Sequence, residues 1–286
     1  MQQVKGISYQ KLADFGLQSI HISNDFCEAE IALQGGQILK FFSKTQQKDL
    51  LWLSELNTYN VGKAIRGGIP LCFPWFGTHA KQLDYPSHGF ARNLVWTCET
   101  ISQDESGHHL ILSLTDNETT RKYWDFAFRL NMHIDCGEQL KLEMHLSNLD
   151  HECFEYGFAW HSYFPAQTKI AQIYGLENEN YIDQLNGNSL QIQKDEEISF
   201  HAELDRIYPE TRGNFILKQN EHDSISIQSS AKSAVIWNPW IEKSVRLMDV
   251  HNDAWQDFVC IECGQIATQM RQLNAGESVC YQLLIH

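Results

Sequence analysis

Apolar and polar residues alternate with a period of two along much of this chain. The apolar positions of the clearest stretches are Ala29–Ile31–Leu33, Leu110–Leu112–Leu114, Leu130–Met132–Ile134, Leu140–Leu142–Met144–Leu146 and Ile225–Ile227. This alternation is typical of strands that bury one face. Glycine-containing turn clusters separate the stretches, and a sustained period of 3.6 residues is hard to find. The pattern therefore predicts an all-β fold, a large antiparallel β-sandwich with few short helices.

Residues 50–92 interrupt this rhythm, because they are rich in Gly, Pro, Trp and Phe and show no strand alternation. Long loops on a rigid scaffold often carry function. Strand patterns otherwise run from near Ile20 to Ile285 without a Pro- or Ser-rich linker, a repeat or a low-complexity tract. We therefore expect one domain over residues 1–286.

Composition narrows the class of protein and its partners. The chain has 286 residues, of which 43% are hydrophobic, so it can bury a sizeable core. Its 36 acidic and 22 basic residues give a formal net charge of −14. That balance argues against a nucleic-acid partner or an anionic membrane. The chain shows neither a signal-peptide pattern at its start nor an apolar run of 18 residues, so we expect a cytoplasmic protein without a membrane span.

The eight cysteines are scattered, which favours reduced thiols over a disulfide framework. Cys260 and Cys263 form a CxxC pair within an apparent strand, where a period of two sends the two side chains to opposite faces. A zinc site needs both thiolates on one side and a second pair of ligands. The thirteen histidines contain no HExxH motif. The sequence therefore predicts no metal site.

A glycine- and proline-rich loop, RGGIPLCFPWFG at residues 66–77, is the first candidate for binding chemistry. Gly67 and Gly68 would permit a close backbone approach to a ligand, and Arg66 offers a guanidinium suited to phosphate or carboxylate. A surface arginine on a structural loop is the alternative. Eleven residues after this loop, the segment HGFARN begins at His88. If extended, it would direct His88, Phe90 and Arg92 to one side, although an Arg92 paired with an acidic side chain is equally compatible.

Two apparent strands carry a histidine and a glutamate on faces that could hold a ligand. Alternation places His161 beside small residues on one face of its strand, while Phe158 and Trp160 supply the core on the other. Glu262 shares a face with Cys260, where an unpaired carboxylate would be expensive to bury. It must be either paired or working in a pocket. Nearby tryptophans such as Trp237 would suit a sugar ring, although they could equally fill a core.

In this order, six segments of the chain resemble the hexose-6-phosphate mutarotases, or glucose-6-phosphate 1-epimerases, of the galactose mutarotase-like superfamily. They are RGGIPLCFPWFG (66–77), HGFARN (88–93), WHSYF (160–164), LDRIY (204–208), IWNPW (236–240) and FVCIECG (258–264). The similarity covers nearly the whole chain. It implies a β-supersandwich, no cofactor, and interconversion of the α and β anomers at C1 of a hexose phosphate, with glucose 6-phosphate expected.

The resemblance also implies roles for particular residues. His161 and Glu262 match the catalytic pair, and Arg66 and Arg92 match the arginines that hold the 6-phosphate. Asp205 of LDRIY matches a substrate-binding aspartate. The remaining expected substrate contacts are His88, Trp237 and Ser87, which stands where some family members have glutamine.

This pairing of residue types suits the reaction. Ring opening needs a base for the C1 hydroxyl proton and an acid for the ring oxygen. We expect Glu262 to act as the base and a protonated His161 as the acid, with their roles exchanged on ring closure.

Other functions remain open at this point. The chain could be a non-catalytic sugar-phosphate binding or sensing module, although binding alone needs no acid–base pair. It could be a mutarotase of unphosphorylated aldoses, and a glycosidase using Glu262 and Asp205 is a weaker option that leaves His161 without a role. Since the net charge opposes a dianionic substrate, we expect Arg66 and Arg92 to form a local positive patch. Arginines that lie far apart or are buried in ion pairs would instead favour the unphosphorylated substrate. We expect a monomer.

Overall fold

The computed structural model describes residues 4–12 and 16–286, which form 24 strands and little helix. The two α-helices are α1 (Glu118–Arg121) and α2 (Trp240–Arg246), and three single-turn 3-10 helices span Ala91–Asn93, Ala254–Gln256 and Ala267–Gln269. Within the described ranges, no helix has the length and apolar character needed to cross a bilayer. The prediction of an all-β fold with few short helices is confirmed.

The strands, in chain order, are β1 (Ile7–Leu12), β2 (Leu17–Ser23), β3 (Cys27–Ala32), β4 (Gln37–Ser43), β5 (Lys48–Asp49), β6 (Leu71–Cys72), β7 (Thr97–Asp104), β8 (Gly107–Thr115), β9 (Phe128–Cys136), β10 (Leu140–Asn148), β11 (Phe154–Tyr156), β12 (Phe158–Trp160), β13 (Tyr163–Pro165), β14 (Gln172–Tyr174), β15 (Asn180–Asp183), β16 (Ser189–Ile192), β17 (Glu197–Ser199), β18 (Leu204–Tyr208), β19 (Asn214–Asn220), β20 (Asp223–Ser229), β21 (Ser233–Asn238), β22 (Phe258–Gln265), β23 (Arg271–Leu273) and β24 (Ser278–Ile285).

These strands form four sheets. The largest has nine strands in the order β17-β14-β19-β20-β24-β10-β9-β8-β7. An eight-stranded sheet follows the order β16-β15-β18-β21-β22-β12-β6, with β13 also paired to β22. A five-stranded sheet runs β1-β2-β3-β4-β5, and β11 pairs with β23. Neighbouring strands in the described sheets pair antiparallel, as β10 does with both β9 and β24.

In the nine-stranded sheet, the alternation of apolar and polar residues corresponds to one buried face and one solvent-facing face. In β10, Leu142 and Met144 are fully buried, whereas Lys141 and Glu143 on the opposite face are half-buried. Each fully buried side chain of this kind stabilises the fold by about 1.5–3 kcal/mol. The inner face of this sheet joins the eight-stranded sheet in one large hydrophobic core, which contains Leu142 and Ile261. The polar outer face is left to solvent.

The eight-stranded sheet is different, because both of its faces are covered. Every residue of β22 is buried. Ile261 and Cys263 belong to the large core between the sheets, whereas Phe258 and Cys260 belong to a second apolar cluster on the other face. The two CxxC cysteines therefore lie on opposite faces, as predicted, and cannot bind one metal ion together. The second cluster is where the candidate catalytic residues lie.

Residues 50–92 cover part of this second face. They contribute one strand, β6, to the eight-stranded sheet. Gly67 and Gly68 have positive φ angles of 107° and 61°. A Cβ atom at Gly67 would lie 2.6 Å from Leu53 Cα, and one at Gly68 would lie 2.1 Å from the Ile38 carbonyl oxygen. In the structure these glycines approach the protein's own backbone, which fixes the loop that carries Arg66. Their expected close approach to a ligand stays a prediction.

The HGFARN segment is not extended. His88 has a positive φ of 64°, and Ala91–Asn93 forms a 3-10 helix. Phe90 consequently turns into the large core. The prediction that His88, Phe90 and Arg92 share one side is therefore wrong for Phe90, because the helical turn replaces the period of two.

Candidate active site

His161 and Glu262 meet on the second face of the eight-stranded sheet. His161 directly follows β12, and its backbone N–H donates to the Pro70 carbonyl oxygen at 2.9 Å. Glu262 projects from the middle of β22. The His161 Nε2 and Glu262 Oε1 atoms are 3.4 Å apart, and the two side chains are only 9% and 2% exposed.

The other polar atom of each side chain has no protein partner. His161 Nδ1 and Glu262 Oε2 are buried and make no hydrogen bond to any described residue. Leaving such atoms unsatisfied costs about 1–3 kcal/mol each, so buried polar groups normally have partners. An imidazole nitrogen and a carboxylate oxygen are thus available to a ligand.

Burial shifts the two pKa values in opposite directions. It lowers the pKa of His161 well below 6.5; protonation of the neighbouring His88 would lower it further, and the charges of Arg92 and Arg66 do so. Burial raises the pKa of Glu262 well above 4.5, as does the Asp205 carboxylate. Both shifts favour the uncharged forms, a neutral imidazole and a protonated carboxyl group. The direction of the His161 shift opposes the protonated imidazole expected for the acid, because desolvation penalises a buried imidazolium.

His88 stands beside this pair as a neutral imidazole, with its ring centroid 5.6 Å from that of His161. Its Nδ1 accepts a hydrogen bond from the Gly77 N–H at 3.3 Å and lies 3.3 Å from Cys72 Sγ. Burial, reinforced by Arg92 and Arg66, lowers the pKa of His88 to about 3. With Nδ1 as acceptor, the ring proton is on Nε2, where it can be donated.

Aromatic side chains hold the histidine in place. The Tyr163 ring stacks on His161 with centroids 4.9 Å apart and planes 11° apart. Trp237 of β21 meets His161 edge-on at 6.0 Å and is largely buried. Trp237 therefore packs in the second apolar cluster and also borders the candidate catalytic histidine, while its contact with a sugar ring stays a prediction.

The two candidate phosphate-binding arginines differ in their partners. Arg66 Nε donates to Asp249 Oδ2 at 3.0 Å, and Arg66 Nη1 donates to the Tyr163 hydroxyl oxygen at 3.0 Å. Arg92 forms no ion pair with the described residues; its Nη2 donates to the Ser87 carbonyl oxygen at 3.1 Å, and its buried Nε is unpartnered. Half of the expected positive patch is thus neutralised by Asp249.

Both arginines nevertheless influence the same two histidines. The charges of Arg66 and Arg92 each lower the pKa values of His88 and His161. Ser87 itself is exposed, and its contact with Arg92 uses the backbone carbonyl. The structure therefore brings both arginines near enough to influence His161 of the candidate catalytic pair.

Asp205 lies on β18 and pairs with Trp237 in register. Gln184 Nε2 donates to its Oδ1 at 2.5 Å, and Lys243 Nζ lies 3.6 Å from its Oδ2. Burial raises the pKa of Asp205, although Lys243 opposes the shift. This carboxylate is near enough to Glu262 to influence its protonation.

Three neighbours of the site were not assigned a role from the sequence. Asp249 binds Arg66, Tyr163 stacks on His161, and Lys243 lies 5.7 Å from the Trp237 ring centroid while pairing with Glu203 at 2.8 Å. Strand alternation does put Tyr163 on the His161 face, so its position was predictable. No pattern points to Asp249 or Lys243, which reach the site from α2 and the residues that follow it.

Three side chains in this site have donor atoms spaced closely enough to bind one metal ion. Donor atoms of His161, Cys260 and Glu262 lie within 4.8 Å of one another, and all three residues are buried. Burial raises the pKa of the Cys260 thiol well above 9.0. Because a metal is bound by the thiolate, this environment disfavours coordination by Cys260. The donor set fits proton transfer better.

Comparison with known proteins gives a consistent family. The family model described as Aldose 1-epimerase matches residues 18–286. A protein of Salmonella typhimurium named "Putative glucose-6-phosphate 1-epimerase" is 31% identical, with 96% of this chain and 93% of that protein covered. An Escherichia coli protein with the same name is 31% identical over 90% of this chain and 85% of its own.

Solved structures agree in fold. A crystal structure titled "putative mutarotase" from Salmonella typhimurium superposes with a TM-score of 0.90 at 30% identity, covering 99% of this chain and 95% of that one. Galactose 1-epimerase from Lactobacillus acidophilus has a TM-score of 0.73 at 13% identity, covering 99% and 98% of the two chains. The latter likeness concerns the fold alone, which is the galactose mutarotase-like β-sandwich.

Proposed function

The chain belongs to the aldose 1-epimerase family and is therefore an isomerase, and on this premise we propose that it interconverts the α and β anomers of hexose 6-phosphates. Glucose 6-phosphate is the expected substrate. The observation that carries the catalytic part is the buried contact between His161 Nε2 and Glu262 Oε1, with Nδ1 and Oε2 lacking protein partners.

The pair can move protons in both directions at the anomeric centre. A base removes the proton of the C1 hydroxyl while an acid protonates the ring oxygen O5, and rotation about C1–C2 before reclosure gives the other anomer. His161 and Glu262 share one proton, so one accepts while the other donates. We assign Glu262 as the base and His161 as the acid. This assignment requires the proton to pass from Glu262 to His161 as the sugar enters, and the roles exchange on ring closure.

The surrounding side chains suit the rest of a sugar. His88 would donate from Nε2 to a sugar hydroxyl, and the Asp205 carboxylate would accept from one. Trp237 offers an apolar edge beside His161. The Ser87 side chain is exposed, and its backbone carbonyl would act by orienting Arg92.

Two observations support a 6-phosphate group on the substrate. Arg92 is free of acidic partners among the described residues, and its charge reaches His88 and His161. The Salmonella and Escherichia relatives are named as glucose-6-phosphate 1-epimerases. Charge-assisted hydrogen bonds from Arg92 and from Arg66 would hold the phosphate and place C1 between the catalytic groups.

One observation favours an unphosphorylated aldose instead. Arg66 already pairs with Asp249, so a phosphate at Arg66 would have to approach a carboxylate 3.0 Å from the guanidinium. A site whose arginine is held by an internal carboxylate could bind neutral hydroxyls equally well. This second function needs no positive patch.

Anomer exchange followed by NMR on α-glucose 6-phosphate and on α-glucose separates these substrates. We expect a higher kcat/KM for the phosphate. Arg92→Gln should raise KM for the phosphorylated sugar by about 10- to 150-fold, the effect of losing one charge-assisted hydrogen bond. KM for glucose should change much less.

Arg129→Gln provides a matched control, because Arg129 is an exposed arginine on β9. It should leave both substrates unaffected. Equal rates on the two sugars, together with equal losses in Arg92→Gln, would contradict the 6-phosphate proposal and support the unphosphorylated aldose.

A further inference from the structure

Three metal-ligating side chains converge on the outer face of the nine-stranded sheet. His133 lies on β9, and Glu143 and His145 lie on β10. Glu143 is directly opposite His133 in the antiparallel register, and His145 is two residues further along the same face. Donor atoms of all three lie within 4.8 Å of one another, and the two imidazole centroids are 4.4 Å apart.

The two oxygens of Glu143 have separate surroundings. Oε1 accepts a hydrogen bond from Gln282 Nε2 and forms an ion pair with Lys141 Nζ, both at 2.8 Å. Oε2 points instead to His145 Nε2, 3.5 Å away. Hydrogen bonds to the outer oxygen of a ligating carboxylate orient it, as outer-shell partners do in metal sites. Glu143 is therefore held with one oxygen directed at the histidines.

The spacing of these donor atoms matches that of ligands around a shared metal ion. The 3.5 Å between Glu143 Oε2 and His145 Nε2 exceeds the usual hydrogen-bond separation of about 2.9 Å. Bonds of about 2.0–2.1 Å to a tetrahedral zinc ion put neighbouring ligand atoms about 3.3–3.4 Å apart. Cys280 Sγ lies 3.6 Å from the same His145 Nε2, so a soft donor flanks the cluster.

We propose that His133, Glu143 and His145 bind a divalent first-row transition metal, with Zn²⁺ as the representative ion. Two imidazoles and a carboxylate are three ligands that zinc accepts, and the half-buried position lets water complete the coordination. The site links β9 to β10 on the face opposite the core. It is separate from the catalytic pair, so it stabilises the sheet without entering the reaction.

Metal binding can be measured on the full chain after treatment with a chelator. Calorimetric titration with Zn²⁺ should show one equivalent bound, with a rise in Tm. His133→Ala and His145→Ala should weaken this binding at least about 10- to 100-fold, which is the effect of disturbing even an outer-shell partner. Glu143→Gln, which preserves shape, should weaken it too. All three variants should retain the wild-type rate of anomer exchange.

Two controls identify the site. His109→Ala alters another histidine on the same face, paired with Asp135, and should bind Zn²⁺ normally. His161→Ala removes the catalytic histidine and should also bind normally. Unchanged Zn²⁺ affinity in Glu143→Gln and His133→Ala, or loss of binding in His161→Ala, would overturn the proposal.

Discussion

Two of the histidine–carboxylate contacts in the molecule differ greatly in character. On the covered face of the eight-stranded sheet, His161 and Glu262 are 3.4 Å apart and 9% and 2% exposed. On the outer face of the nine-stranded sheet, His109 and Asp135 are 2.7 Å apart and 31% and 36% exposed. An imidazole and a carboxyl group thus meet once where solvent is largely excluded and once where solvent has access.

Their pKa shifts run in opposite directions. The hydrogen bond to Asp135 raises the pKa of His109, and Asp104 raises it further. Burial lowers the pKa of His161 even though a carboxyl group is adjacent. In water, pairing decides the sign, whereas in the protein interior the cost of desolvating the charge decides it. Burial thus favours the uncharged forms of His161 and Glu262, whereas the exposed pair is an ordinary surface interaction.

The largest expected difference between the two pairs is in catalysis. His161→Ala and Glu262→Gln should each lower kcat for anomer exchange by about 10²–10⁴, the usual contribution of a positioned acid or base. Asp135→Asn, which alters the exposed pair, should leave kcat unchanged. Each rate is measured by NMR exchange and corrected for the spontaneous reaction. Near-wild-type exchange in His161→Ala or Glu262→Gln would refute the assignment.

A smaller effect is expected in the pH dependence. Because the pKa of His161 lies well below 6.5, the pair takes up its second proton only at lower pH. Because the pKa of Glu262 is raised, the pair keeps its first proton well above pH 4.5. We expect kcat/KM to stay constant as the pH falls through 6.5.

This profile is best measured on an unphosphorylated sugar, since a phosphate monoester itself titrates near pH ~6. A loss of activity with a midpoint at the ordinary histidine pKa would show that the buried pair behaves like the exposed one. That result would contradict the role given to desolvation.

The smallest effect concerns stability. The raised pKa of His109 in the folded state means that the folded protein binds this proton more tightly than the unfolded chain. The resulting stability is present below the unfolded pKa of about 6.5 and is lost as the pH rises through the folded value. His109→Gln should therefore lower the free energy of unfolding at about pH 5.5 by less than ~1 kcal/mol, with no difference at high pH.

Urea denaturation at the two pH values measures this difference. Asp135→Asn removes the principal partner of His109. In that background, His109→Gln should change the free energy of unfolding at low pH by less than it does in the wild-type protein. A difference that grows with rising pH would have the wrong sign and would exclude this linkage.

Much of the fold was readable from local pattern. The strands β8, β9 and β10 follow the predicted alternation, because one face of each packs on the large core and the other meets solvent. Alternation also predicted that His161 and Trp160 lie on opposite faces of the sheet, and that Cys260 and Cys263 do so as well. The extended conformation predicted for HGFARN is wrong, because a 3-10 turn, which has no period of two, follows His88.

The candidate site was only partly readable. Motif resemblance singled out His161, Glu262, Arg66 and Arg92, whose positions are far apart in the chain. The Arg66–Asp249 ion pair joins residues 183 positions apart, and nothing in either local segment indicates it. The pKa values of the candidate catalytic pair depend on burial by several elements together, which no single segment encodes.

By itself, the sequence determined the all-β class and the buried faces of the clearest strands, because these depend on residue type and a period of two; resemblance to a family singled out the candidate reacting groups. Only the tertiary structure decided that Gly67 and Gly68 approach the protein's own backbone, that Asp249 neutralises Arg66, and that burial shifts the pKa values of His161 and Glu262 in opposite directions. Those properties depend on distances and desolvation, which are set when remote strands and loops close over one another.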